Sequence, residues 1–205
     1  GCLALYVALA DIGFFPKVEL YRFCESDAML GGHPQYWKIP GVEASTGSLG
    51  HGFSIGIGIA LNGKIDRKNY RTFVLLGDGE CNEGSVWEAA MCASKHKLNR
   101  LTVLVDYNKM QCFGNTCDVQ DLEPFADKWS SFGFAVKEVD GHDVKALRNI
   151  LLDTKLDESK PDVIICHTVK GKGAASIERN AAWHHKSKIS DDEMEKLFEE
   201  LDSCR

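Results

Sequence analysis

Two short stretches hold residues whose types and order suit one kind of chemistry. In Leu75-Leu76-Gly77-Asp78-Gly79-Glu80 an apolar run ends in a carboxylate between two glycines; in Val105-Asp106-Tyr107-Asn108-Lys109-Met110, thirty residues on, another apolar run ends in an amide oxygen. A hard divalent cation such as Mg²⁺ takes near-octahedral oxygen, usually from one or two carboxylates or amides together with phosphate oxygens of a ligand. On neighbouring strands, Asp78 and Asn108 face one cation. The glycine after Asp78 then lets a diphosphate approach the backbone, and the N-terminus of the following helix adds partial positive charge. Gly-Asp-Gly alone is a common turn; the Asn108 match and the strand–turn–helix setting give it the metal-and-diphosphate reading. No G-x-x-x-x-G-K-[ST] loop is present, which disfavours a nucleotide triphosphatase of that kind.

The elements that position these residues follow from the local period. Short apolar runs at Thr72–Leu76, Leu101–Val105, Ala135–Val139 and Val163–Thr168 predict strands, and segments with 3.6-residue spacing over 83–97, 121–132, 143–155 and 190–203 predict helices. The last opens with Ser190 and Glu193, a capping box. This order predicts one α/β domain, a parallel sheet flanked by helices on both faces, with ligands beyond the carboxyl ends of the strands. The segment from Gly41 to Gly63 is glycine-dense, and a helix over Ser48–Leu61 is expected to pack Gly50, Gly56 and Gly58 against a neighbour or a flat ligand. Gly56-Ile57-Gly58 follows no strand, which disfavours a dinucleotide fingerprint.

Composition narrows the class. The chain of 205 residues is 44% hydrophobic and 26% charged, the mixture of a globular domain, with no apolar stretch near the ~18 residues of a membrane span. A net charge of −6, with basic residues scattered along the chain, argues against a nucleic-acid surface. Eight cysteines without a C-x-x-C pair suit reduced thiols, and no signal segment opens the chain, so a cytoplasmic protein is expected. Gly1 precedes Leu3, Leu5, Tyr6 and Leu9 at helical spacing, as if the sequence began inside an element.

The motifs GDGECNEG and DYNKMQ resemble the thiamine diphosphate motif of enzymes that use that coenzyme. With GGHPQYWKIPGVEASTGSLGHG before them and HTVKGKG and AAWHHK after, essentially the whole chain resembles the amino-terminal half of transketolase. The resemblance implies a thiamine diphosphate-binding fold and a set of roles. Asp78 and Asn108, with the backbone carbonyl of Met110, match the ligands of Mg²⁺, for which Ca²⁺ or Mn²⁺ substitutes. Gly79 matches an amide at the diphosphate, and Glu80 beside it is placed in the cofactor-binding set with Asn108. Gly47, Ser48 and Leu49 match the segment against the aminopyrimidine. His33 and His184 match active-site histidines, suited to moving protons on sugar hydroxyls. Lys170, with His184, is expected to supply cationic donors to the diphosphate, and Glu83 and Glu88 match acidic residues of a subunit contact. By residue type alone, His33 before Pro34 suits a surface turn, Lys172 a solvated charge and His142 a helix-entry loop. His51 and His185 stand where the family more often has glutamine and glycine.

The resemblance further implies a pyrimidine-binding domain that the chain lacks. The expectation is either a fragment or the first subunit of a split transketolase, assembled as α2β2 with a pyrimidine-binding partner. The closing amphipathic helix favours the split form. Expected substrates are sugar phosphates, between which a two-carbon ketol unit moves, with a place in the pentose phosphate pathway. A deoxyxylulose-phosphate synthase, a 2-oxoacid dehydrogenase component and an enzyme of sulfosugars are the alternatives within this chemistry. A non-catalytic regulatory subunit, which should show eroded ligands, is the alternative outside it.

Overall fold

The structure, a computed structural model, describes residues 1–153, 159–186 and 188–203. In chain order the elements are α1 (Cys2–Asp11), α2 (His51–Ile65), β1 (Thr72–Gly77), α3 (Gly84–Lys95), β2 (Leu101–Tyr107), β3 (Met110–Gln111), β4 (Gly114–Asn115), α4 (Thr116–Val119), α5 (Phe125–Ser131), β5 (Ala135–Asp140), α6 (Val144–Asp153), β6 (Asp162–His167) and α7 (Asp191–Ser203). Strands β1, β2, β6 and β5 form a parallel sheet in the order β1-β2-β6-β5, and β3 and β4 form a small antiparallel hairpin. Gly77 pairs with Asp106 in register, so the carboxyl ends of β1 and β2 open side by side.

The expected strands are all present, and the helices differ mainly at their starts. The glycine-rich helix begins at His51 rather than Ser48 and runs on to Ile65, because Gly50, at φ +77°, turns the chain into it. The helix expected from 121 begins at Phe125: the Glu123 carboxylate accepts the Phe125 N–H at 2.8 Å, and Pro124 occupies the cap position. Asp143 Oδ1 accepts from the Ala146 amide at 2.9 Å to open α6, whose expected last residues, 154 and 155, lie outside the described residues. At α7 the capping box is formed in both directions: Glu193 N–H donates to Ser190 Oγ and Ser190 N–H to Glu193 Oε2.

One face of the sheet carries the main core. Val103, Val105, Val163 and Ile165 are fully buried there, with Phe53 of α2, Val86 and Ala90 of α3 and Trp129 of α5. Gly56 lets α2 approach β1, since a Cβ on it would come within 2.4 Å of Val74 Cγ2; Gly58, by contrast, faces open space. On the other face Ile164 and Cys166 are buried, but cover stops short of the edge strand: Phe73 is 47% and Leu75 68% exposed. A second cluster, Tyr6, Leu9, Phe15, Leu30, Ile39 and Val42, folds the first 45 residues around α1. The described cysteines are all free thiols. No helix among the described residues is long and apolar enough to cross a membrane.

Candidate active site

Asp78 directly follows β1, with only 2% of its surface exposed. Its carboxylate is engaged on both sides: Oδ1 accepts the Gly79 amide at 2.7 Å, and Oδ2 accepts the amide of Lys109 in the turn after β2. The two turns are therefore tied together by the residue expected to hold the metal. Burial pushes the Asp78 carboxyl up, to about 6; the two amide bonds and Lys170 oppose that, and Asp106 reinforces it. A buried carboxylate with its charge so poorly matched is a position that a cation stabilises. Asn108 folds into its own turn, its Oδ1 accepting from the Met110 amide at 3.0 Å, and its Nδ2 lies 3.4 Å from Asp106 Oδ1. This fixes the amide with its oxygen toward Met110. Lys109 between them sits at φ +66°, a left-handed conformation costly for a side chain of this kind.

Glu80 does not point out into the opening. Its Oε1 accepts the Gly50 amide at 2.9 Å and its Oε2 the Gly77 amide at 3.2 Å. The carboxylate thereby joins the start of α2 to the end of β1, which places it as a brace for the Gly47–Leu49 segment. Gly47 itself, at φ +138°, lies under His33: a Cβ there would stand 2.8 Å from the imidazole Cγ. Two bonds hold these loops together, Thr46 N–H to Pro34 O at 3.2 Å and Tyr36 N–H to Ser45 Oγ at 2.9 Å. The Tyr6 hydroxyl anchors the approach to His33 by donating to Gly31 O at 2.8 Å. His33, Ser48 and Leu49 are exposed.

The third contribution comes from the segment after β6. Thr168 donates its hydroxyl to Asp106 Oδ1, and Val169 N–H donates to His142 Nε2 at 2.8 Å, so His142 fastens this segment to the β5–α6 loop. Lys170 and His184 are both half-buried, and the Lys170 charge acts on both Asp78 and His184. The His184 ring packs edge-on against His185 at 4.5 Å, and its Nδ1 is buried without a hydrogen-bond partner. Burial first, then Lys170 and His185, hold its imidazolium below the usual histidine range. These effects disfavour the charged form of the ring, whereas Lys170 brings a positive charge to the same segment. Helix α7 braces the segment, with Ser176 donating to Glu200 through both N–H and hydroxyl, at 3.0 and 2.9 Å, and Lys186 paired with Glu193. Lys172 pairs with Glu178 at 3.5 Å on the surface. Glu83 and Glu88 stand exposed, Glu83 just before α3 beside Gly50 and Glu88 on α3.

Sequence reasoning missed Asp106 and Thr168, which link β2 to the late segment, and the bracing role of Glu80. Asp106 stands in the strand-ending VDYN, but nothing in its spacing tells a network carboxylate from a solvated one.

The residues present fit a divalent cation with a diphosphate. One carboxylate, one amide and one carbonyl are hard oxygen donors that carry a single negative charge together, leaving room for phosphate oxygens. Among the described residues no cluster of three or more His, Cys, Asp or Glu offers a competing metal site. Lys170 carries an ammonium of the kind that pairs with phosphate oxygens, and His184 Nδ1 is a buried ring nitrogen without a partner.

Comparison with known proteins identifies the family. The chain matches the model for the transketolase, thiamine diphosphate binding domain over residues 1–202. It is 41% identical over 182 residues to one subunit of the apulose-4-phosphate transketolase of Phocaeicola vulgatus, a match spanning 89% of this chain and 64% of that protein. It is 40% identical over 185 residues to one subunit of the 6-deoxy-6-sulfo-D-fructose transketolase of a Clostridium species, spanning 90% and 67%. The crystal structure of Pichia stipitis transketolase in complex with sedoheptulose 7-phosphate superposes with a TM-score of 0.86 at 28% identity, covering 97% of this chain and 31% of that one. The chain thus spans about two thirds of the length of these curated subunits. With the family model matched over nearly its whole length, the chain belongs to the transketolase family, as its thiamine diphosphate binding domain.

Proposed function

We propose that this chain is the diphosphate-binding subunit of a two-polypeptide transketolase. With a pyrimidine-binding partner it moves a two-carbon ketol unit from an anionic ketose to an aldose phosphate. The observation that carries this reading is the buried Asp78 carboxylate, which ties together the turns after β1 and β2 within the field of Lys170. Eroded ligands, the mark of a non-catalytic subunit, are not seen at Asp78, Asn108, His33 or His184.

Asp78, Asn108 and the Met110 carbonyl would hold Mg²⁺; Lys170, the Gly79 amide and His184 would hold the diphosphate; Gly47, Ser48 and Leu49 would lie against the aminopyrimidine. When bound, the coenzyme supplies the electron sink that lets the bond between the second and third carbons of a ketose break. The chain's own residues bind, orient and move protons. Lys170 contributes charge, whereas His184, whose charged form is disfavoured by burial and by Lys170, is suited to accept a proton from a substrate hydroxyl. His33, packed on Gly47, is held over the pyrimidine segment with its ring free to exchange protons with sugar hydroxyls. Glu83, at the cap of α3, and Glu88, on that helix, are exposed, where a second chain would meet them.

The two relatives are named for different sugars, one carrying a phosphate and one a sulfonate, at nearly equal identity. Their common feature, an anionic ketose, is the donor class we assign; the identity of the sugar rests largely with the partner. The test is a fluorescence titration of the chain with thiamine diphosphate, read through Trp87 and Trp183, with and without Mg²⁺, followed by a turnover assay. Quenching should require Mg²⁺. Ketol transfer should appear only with the partner added. Mg²⁺-independent binding, or turnover by the chain alone as a proven monomer, would overturn the proposal.

A further inference from the structure

The end of the sheet opposite Asp78 carries a different kind of site. Basic residues that are scattered along the sequence gather there around one cavity of about 240 Å³ at the amino ends of β1 and β2. Its lining includes Lys64, Arg67, Lys68 and Arg100, in a protein whose net charge is −6. Among the described residues none of these four is in an ion pair with a carboxylate. Lys64 has a local explanation, because its Nζ donates to the carbonyls of His96 and Lys97 at 2.6 and 3.2 Å and so caps the end of α3. The others do not. Arg100 uses two N–H groups on Asn69, at 2.9 and 3.5 Å, and a guanidinium has about five to give. Arg67 holds φ +52° directly after α2, the left-handed position that glycine fills at least cost.

The second observation comes from inside the cavity. Thr72, at 8% exposure, is part of its lining, and its hydroxyl is buried with no hydrogen-bond partner. A buried hydroxyl left unsatisfied is destabilising, and it persists most readily where a ligand supplies the missing bond. We propose that this cavity binds a phosphate group, held by Arg67, Lys68 and Arg100 with the Thr72 hydroxyl donating to a phosphate oxygen. Guanidinium forks match phosphate geometry. The volume lies below the ~300–1,000 Å³ of pockets for drug-sized ligands, which limits the occupant to inorganic phosphate or the phosphomonoester of a short carbon chain. A nucleic-acid surface does not follow, because the cations converge on a cavity instead of forming a stripe.

The test is a phosphate titration of the full chain, saturated with thiamine diphosphate and Mg²⁺, followed by amide NMR shifts. Saturable shifts are expected at residues 63–72 and 98–101. The double variant Arg67→Gln/Lys68→Gln, both positions exposed and outside the core, should weaken binding by about tenfold or more, as loss of two charge-assisted bonds requires. Thr72→Val should weaken it several-fold while raising the melting temperature of the phosphate-free protein, a combination that a purely structural role for Thr72 does not give. Glycerol 3-phosphate binding more tightly than phosphate would identify an organic ester as the occupant; equal binding would identify the inorganic ion. Shifts absent from these residues, or equal affinity in the double variant, would overturn the site, whatever the fate of the transketolase assignment.

Discussion

The turns that close β1 and β2 and the long segment after β6 carry two parts of one site, and they are built in opposite ways. In the turns nearly every polar group is already used: Asp78 accepts two amides, Glu80 two more, and Asn108 closes on Met110. In the late segment the functional groups are left open. His184 Nδ1 has no partner, and the segment is held from behind by α7 through Glu193 and Glu200. The turns are thus a scaffold fixed before any ligand arrives, whereas the segment keeps a buried ring nitrogen unsatisfied. Substitutions should separate the two by whether folding or function suffers first.

The largest effect is expected at Asp78. Asp78→Ala removes a metal ligand and strands the Gly79 and Lys109 amides, so thiamine diphosphate affinity in the presence of Mg²⁺ should fall more than about a hundredfold, beyond the 10–100-fold typical of outer-shell partners, with a lowered melting temperature. Asp78→Asn keeps an acceptor oxygen and should recover much of the stability but little of the affinity, as read by fluorescence titration beside calorimetry. Glu80→Ala comes next among the turns. It orphans the Gly50 and Gly77 amides at about 1–3 kcal/mol each where water cannot reach them, so chemical denaturation should show the loss and coenzyme affinity should drop in proportion.

In the late segment the order reverses. His184→Ala removes an unpaired buried nitrogen and should leave the melting temperature nearly unchanged, while turnover with the partner falls by about 10²–10⁴-fold, the usual worth of a general acid–base group. A large loss of stability without loss of turnover would break the comparison. The same ring predicts a pH effect. Its folded-state value is depressed, so the unfolded chain takes up the proton first. The stabilisation present above the usual histidine range is then lost as pH falls through it. Hydrogen exchange at residues 170–184 should speed up across that window in the parent chain and much less in His184→Gln. The smallest effect belongs to Glu193, partly exposed and held below the usual carboxylate range mainly by Lys186. Its contribution is present at neutral pH and lost only in acid, so Glu193→Gln should loosen the fit of α7 to the segment without a measurable change in melting temperature.

The same contrast explains what is legible in the sequence. The strands and the Asp78 and Asn108 turns announce themselves because apolar runs end in polar residues at the carboxyl edge, and the sheet register then has to bring them together. Glu80 reads as a cofactor contact because it adjoins Asp78 in the chain; its partner Gly50 lies thirty residues away and no local pattern links them. His33 and Gly47 meet only because a separate cluster around Tyr6 and Leu30 folds the first loops back on themselves. The start of α5 is shifted by a side-chain cap at Glu123, a contact that periodicity does not register. The cation cavity is hidden for a related reason: Lys64, Arg67 and Lys68 are separated from Arg100 by a strand and a helix.

The cation site is central to the proposed function, and one measurement addresses it directly: a crystal structure of the chain with its pyrimidine-binding partner, thiamine diphosphate and Mn²⁺, with the metal located by anomalous scattering. The predicted result is a single strong peak in coordination distance of Asp78 Oδ, Asn108 Oδ1 and the Met110 carbonyl, joined to the diphosphate. A coenzyme bound with its metal anywhere else, or with no metal between the turns of β1 and β2, would contradict it.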